Sequence, residues 1–141
     1  MDAETLKAAG WQPSNAGGFT GYFGSLWARV SDEEQLVGLI VEERHSNNHL
    51  GTVHGGVVMT LADLGLGMGV THALGGSACV TISLQTQFVA TAQVGEFLVC
   101  RPEVVRRSRS LVFVRGLICV DDRTVASAEG IWKVLEPRAV S

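Results

Sequence analysis

The chain has 141 residues, 46% of them hydrophobic and 18% charged, which suits one compact domain and is too short for two ordinary ones. A formal net charge of −3 gives no general pull towards nucleic acid or an anionic membrane surface. The three cysteines, Cys79, Cys100 and Cys119, have neither the even count of a disulfide framework nor the spacing of a metal cluster, so reduced thiols in a cytoplasmic protein are expected.

Met1-Asp2-Ala3-Glu4 offers no basic region leading into an apolar one, so a secretory signal is not expected. Residues 2–9 suit a short helix stopped by Gly10, and the Gly-, Asn- and Pro-containing passage to about Gly21 reads as an irregular lead-in. No pattern places Trp11 or Phe19. Ser25–Val30 and Leu36–Val41 read as strands joined through Asp32-Glu33-Glu34, a hairpin turn. His45 and His49 stand four apart, but a metal pair at that spacing needs a helix, and the Asn-rich segment between them is a poor one. No Cys or carboxylate cluster completes a ligand set, so no metal site is expected.

Next comes a polar loop, Asn47 to His54, that runs through Gly55-Gly56 into an apolar stretch. Asn48 has an amide that both donates and accepts, so it can orient a substrate oxygen or a water, although taken alone it reads first as an Asx-type turn. Gly55 and Gly56 sit where loop becomes helix, among the N–H groups that a helix start leaves unpaired at the positive end of its dipole. A glycine there also lets a substrate approach the backbone without meeting a Cβ. The helix should run from Gly56 to Ala73 and stop at Leu74-Gly75-Gly76. From Val57 to Val70 nearly every residue is apolar or Gly, so a helix covered on every side is expected. Asp63, Gly65, Gly67 and Gly69 interrupt it, which argues against a membrane span. The glycines each cost about 1 kcal/mol relative to Ala, and that cost points to a sheet packed closely around the helix. Asp63 is an ionised group in apolar surroundings, which requires either an Arg partner or a catalytic role in a cleft. His72, near the helix end, should interact with the last carbonyls.

After Gly76 the period changes. Ala78–Val89, Phe97–Arg106, Ser110–Val120 and Val125–Leu135 are successive strands rich in Val, Ile, Phe and Thr. By the period of two, Thr81, Ser83 and Gln85 share one face, and Val80, Ile82 and Leu84 the other. Two strands, a helix and four more strands give an α+β fold with an antiparallel sheet. Arg106-Arg107-Ser108-Arg109 is the basic cluster of the chain, a solvated hairpin end unless it meets an anion.

The spacing along the helix carries a further consequence. Gly55 and Asp63 are eight residues apart, so their backbones lie about 12 Å apart on one helix. A reacting carboxylate must come within about 3–3.5 Å of the carbon it attacks. If Gly55 polarises a carbonyl that Asp63 attacks, the two must come from different copies of the chain, in a homodimer with two-fold symmetry.

Asn48, His54-Gly55-Gly56, Leu61-Ala62-Asp63 and Thr81, in this register, resemble the phenylacetate-pathway (PaaI-type) branch of the hotdog-fold acyl-CoA thioesterases, from about Phe23 to Leu135. The resemblance implies an antiparallel sheet wrapped around a long central helix in a hotdog domain at residues 23–136, with a lead-in at 1–22 and a tail at 137–141. It implies side-by-side dimers with a continuous sheet, paired again into a homotetramer, and hydrolysis of acyl-CoA without a metal or cofactor. Gly55 would then hold the oxyanion and Asp63 of the partner would act as nucleophile or general base. Asn48 and Thr81 would position reacting groups, and His54 would support the carbonyl. The phosphates of coenzyme A would suit Arg107 and Arg109. Two other functions share such a fold, a non-catalytic acyl-CoA sensor and a dehydratase or hydratase. The acyl group, aryl or medium-chain aliphatic, is not specified by these residues.

Overall fold

The computed structural model describes residues 1–48 and 50–135; His49 and the expected tail lie outside that range. Asp2 caps the first helix, α1 (Ala3–Ala8), by accepting from the Thr5 N–H at 2.9 Å, a bond that also holds its carboxyl below the usual carboxylate range. Gly10, at φ 90°, turns the chain out of it. The lead-in is more ordered than its composition suggests: a two-residue strand, β1 (Gln12–Pro13), pairs with Ala28 and Trp27, and a six-residue helix, α2 (Gly18–Phe23), follows. Both are too short to write a period into the sequence, and β1 exists only because a neighbouring strand receives it.

β2 (Leu26–Val30) and β3 (Gln35–Ile40) form the expected hairpin, closed by Ser31 N–H donating to the Glu34 carbonyl at 2.9 Å. One 3-10 turn (Glu43–His45) and the polar loop lead to α3 (Gly55–Ala73). Then come β4 (Cys79–Phe88), β5 (Phe97–Arg107), β6 (Leu111–Val120) and β7 (Arg123–Val134). All seven strands join one antiparallel sheet in the order β1-β2-β3-β5-β6-β7-β4.

α3 lies against one face of this sheet. Val58, Leu61, Ala62, Leu66 and Val70 are buried against Leu39, Leu98, Val114, Ile118 and Trp132, and full burial of each large side chain stabilises the fold by about 1.5–3 kcal/mol. The glycines of α3 make that contact close. A Cβ at Gly65 would stand 2.6 Å from Cys100 Sγ, one at Gly69 would stand 2.5 Å from Pro102 Cβ, and one at Gly67 would stand 3.1 Å from Trp132 Nε1. Burial pushes the Cys100 thiol up to about 12, so it stays protonated. A second, smaller cluster of Leu6, Trp11, Trp27, Leu36 and Phe97 sits apart from this core, with Trp11 edge-on to Phe97 at 4.9 Å. Phe19, by contrast, stays exposed.

Two expectations change here. α3 is long and apolar enough by composition to cross a membrane, and one stripe of it is buried as core. Yet the helix is not covered on every side within one chain: Met59 and Met68 are exposed. Beside it, β4 is an edge strand and leaves Val80, Ile82 and Phe88 exposed.

The second change concerns β4. Thr81 pairs with Trp132 and Ser83 with Ile131, so Ile82 is an extra residue bulged out of the ladder. The alternation therefore breaks. Thr81 and Leu84 face the helix, whereas Ser83 and Gln85 point to the other side, so Thr81 does not share a face with them. A period of two read along the sequence cannot register an inserted residue.

Candidate active site

Two groups of polar atoms lie at either end of the first half of α3. The first is built around the loop. Asn47 N–H donates to the Thr52 carbonyl at 2.7 Å, and Leu50 N–H to the Asn47 carbonyl at 2.9 Å, which closes a tight turn. Asn48 occupies that turn at φ 43°, a left-handed conformation that Asn tolerates better than most residues. The turn accounts for its backbone, while its side chain is exposed and makes no hydrogen bond among the described residues.

His54 is the N-cap of α3: its Nδ1 accepts from Gly56 N–H at 2.8 Å. A neutral imidazole that accepts at Nδ1 carries its proton on Nε2, so His54 presents an N–H outward. Gly56 N–H is therefore satisfied and not free, a correction to the expectation for the glycine pair. Val57 and Val58 N–H both donate to the His54 carbonyl, at 2.9 and 3.3 Å. Gly55 N–H makes no hydrogen bond among the described residues, so it is the donor the helix start leaves open.

The loop is held from behind by His45, which the sequence suggested only as half of an improbable metal pair. Its ring is buried, 2% exposed. Glu42 N–H donates to Nδ1 at 2.9 Å and Nε2 donates to the Phe23 carbonyl at 2.8 Å, while His54 N–H donates to the His45 carbonyl at 2.9 Å. His45 thus ties the end of α2 to the residue that caps α3. The three-residue spacing from Glu42 to His45, a reciprocal cap on the 3-10 turn, was the available signal.

The second group is one hydrogen bond. Thr81 Oγ1 donates to Asp63 Oδ1 at 2.6 Å, the short separation of a hydroxyl on a carboxylate. Asp63 is half-buried and has no cation within ion-pair distance among the described residues, so the salt-bridge explanation is not met within one chain. α3 is continuous from Gly55 to Ala73, which leaves Gly55 and Asp63 about 12 Å apart on one helix. Asp63 with Thr81, and Gly55 with His54, are therefore two half-sites that one chain does not join.

The remaining candidates stand elsewhere. Arg107 ends β5 and Arg109 sits in the β5–β6 turn; both are exposed, with no carboxylate partner among the described residues. The His72 ring makes no hydrogen bond to the last carbonyls of α3, where Gly75 and Gly76 N–H donate to the His72 and Thr71 carbonyls at 3.2 and 2.9 Å. Among the described residues no group of three or more His, Cys, Asp or Glu is placed to hold a metal, and His49 lies outside them. A hollow of about 1240 Å³ opens beneath α1 and the β2–β3 turn, over Leu6, Trp11 and Phe97, but it touches none of the candidate catalytic groups.

The model for the Thioesterase superfamily matches residues 50–127. The Pseudomonas aeruginosa protein PA0474, which carries an esterase name, is 34% identical over 111 residues, 77% of this chain and 82% of that one. Acyl-coenzyme A thioesterase 13 of Mus musculus is 30% identical over 84 residues, 60% of this chain and 59% of its own. Among solved structures, the E. coli PaaI protein from the phenylacetic acid degradation operon superposes with a TM-score of 0.70 at 18% identity, covering 96% of this chain and 86% of that one, and this likeness bears on the fold alone.

Proposed function

The chain belongs to the Thioesterase superfamily, and from that premise we propose that it hydrolyses acyl-CoA thioesters to the free acid and coenzyme A. The site is shared by two copies of the chain. The observation that carries this reading is the open Gly55 N–H on the same continuous helix as the Thr81-bound Asp63, too far away to serve the same carbonyl.

The thioester oxygen accepts from Gly55 N–H, at the positive end of the α3 dipole, and from the outward Nε2–H of His54. Donors fixed by the backbone and by a cap do not need to reorganise as charge develops on that oxygen. Asp63 of the facing protomer supplies the other half of the reaction by one of two routes. As general base it takes a proton from water as the hydroxide adds to the carbonyl carbon. As nucleophile it adds directly, and water then cleaves the acyl-aspartate anhydride. In either route the C–S bond breaks and the leaving thiolate takes up a proton. Thr81 orients the carboxylate, and the exposed amide of Asn48 is available to the thioester or the water.

The assembly that supports this is a side-by-side homodimer through the exposed edge strand β4, extending the sheet across the two-fold axis and covering the open side of α3. A second pairing makes the homotetramer. Arg107 and Arg109 take the phosphates of coenzyme A, which suit guanidinium groups that meet no carboxylate among the described residues. Three free thiols fit a reducing, cytoplasmic setting.

Release of free thiol from a panel of aromatic and aliphatic acyl-CoAs tests the activity and defines the acyl group. Asp63→Asn should lower turnover at least about a hundredfold while the oligomer is unchanged by light scattering. Parent-like turnover in that variant removes Asp63 from the chemistry.

A further inference from the structure

Gly55, Met59 and Asp63 follow one another at four-residue intervals on α3. Four residues carry a helix through one revolution and about 40° more, so the three form a single row with Met59 at its midpoint in both height and direction. The same edge strand flanks both ends of the row. A Cβ at Gly55 would touch the Phe88 ring, its Cε1 at 3.5 Å, and Asp63 accepts from Thr81, so β4 runs beside the row from Phe88 to Thr81. Between these ends stands Met59, 40% exposed, an apolar side chain that one chain leaves uncovered. Met68, the other exposed methionine of α3, lies nine residues further on, half a turn round the helix and outside the row.

Symmetry turns this row into a position. In the shared site, Gly55 N–H and the carboxylate of the partner subunit's Asp63 serve one carbonyl, and the reverse pair serves the second. A two-fold axis that relates the protomers must send Gly55 to the place facing Asp63, and Asp63 to the place facing Gly55. Only an axis that crosses the row halfway between the two does so, and halfway is Met59. The two α3 helices then run antiparallel past each other, and each reaction centre lies about 6 Å along the helix from the crossing point.

Resting on the acyl-CoA reading of the site, we propose that Met59 sits on the two-fold axis of the dimer, packed against the partner subunit's Met59. The occupant of the exposed methionine is a second copy of this chain, in the one register that completes both sites. The methionine pair stands between the two reaction centres and separates them. An unbranched, flexible thioether suits such a place, because it packs against its own copy without needing a complementary shape.

The test is chemical cross-linking of the full chain in a Cys79→Ser, Cys119→Ser background, with Cys100 left in place because its thiol is buried and protonated. In that background Met59→Cys, treated with a short bis-maleimide, should give a covalent dimer on a denaturing gel that the background protein lacks. Light scattering before treatment confirms assembly. An assembled Met59→Cys protein that gives no more covalent dimer than the background overturns the proposal. If the cysteine variant does not assemble, charge decides. A residue on a two-fold axis meets itself, so Met59→Glu and Met59→Lys should each dimerise at least about tenfold more weakly than the parent, and should regain assembly when mixed. Charged variants that gain nothing on mixing have the same consequence as the missing cross-link. Hydrolysis by the parent, and its loss in Asp63→Asn, test the acyl-CoA reading, whereas cross-linking does not depend on turnover. An inert parent whose Met59→Cys variant cross-links keeps the axis and loses the reading, and an active one whose variant does not cross-link keeps the activity and loses the axis.

Discussion

Asp63 and Glu96 show how the same functional group, a carboxylate, is put to different uses by its neighbours. Asp63 receives one hydroxyl, from Thr81, and no cation among the described residues, so one of its oxygens is left for a reaction. Glu96 is saturated: Gln93 N–H donates to Oε1 at 2.8 Å, and Arg123 donates to both oxygens at 2.8 Å. These bonds, the Gln93 N–H foremost and then Arg123, hold the Glu96 carboxyl below its ordinary value of 4.5. The segment they brace also supports the site, because Val53 N–H donates to the Ala92 carbonyl at 2.8 Å and Thr52 bridges to Gln93. A depressed folded-state value contributes stability above 4.5 that is lost as pH falls through the folded-state value. Glu96→Gln should therefore lower the urea midpoint at neutral pH, with the gap to the parent closing in acid below 4.5. A gap that stays constant with pH would show that the charge is not what Glu96 contributes. The sequence exposed Asp63 as a polar residue in an apolar run, but Glu96 carried no pattern, because its partners come from a turn and from another strand.

Among the elements, α3 was the most legible, β1 and α2 left no pattern, and β4 was placed but its bulge was hidden. Its apolar run, the glycine pair at its start and the glycine stop at its end place α3 from Gly55 to Ala73, one residue from the expected start. Its three internal glycines also announced a close sheet, and the structure shows what each approaches. Gly65→Ala sets two effects against each other. Alanine gains about 1 kcal/mol of helix propensity. Against this, its Cβ would fall 2.6 Å from Cys100 Sγ and 2.7 Å from Cys100 Cβ on a strand that cannot retreat, and overpacking of this kind costs about 1–3 kcal/mol. The second effect wins, so the variant should melt a few degrees below the parent in a thermal scan; a raised Tm would mean that the sheet yields. β4 reads as an ordinary alternating strand, and only the ladder with β7 reveals Ile82 as extra. That one residue turns Thr81 towards Asp63, and an inserted residue leaves no trace in a hydrophobic period.

At the level of the molecule, the half-sites make a prediction that no single-chain property can mimic. Gly55→Pro removes the open N–H and should leave α3 intact, since proline suits the first helical position and His54 already lies at φ −70°, ψ 138°. Gly55→Pro and Asp63→Asn should each be inactive alone. Mixed under subunit exchange, half of the dimers pair one of each, and every such pair holds one intact site, so about a quarter of parent activity should return. No recovery on exchange would place the whole site within one chain. The amino-acid sequence by itself determined the α+β class, the central helix, six of the strands and the set of polar residues around the loop, because each is written in local periods, caps and turn residues. The tertiary structure decided which of those groups meet: Thr81 with Asp63, His54 with Gly56, His45 with Phe23, and Phe88 with Gly55. These contacts depend on a bulge, a cap, a buried ring and an edge strand, and their partners lie between 2 and 33 positions apart along the chain. Such meetings follow from sheet register and helix placement, for which a local pattern holds no coordinates.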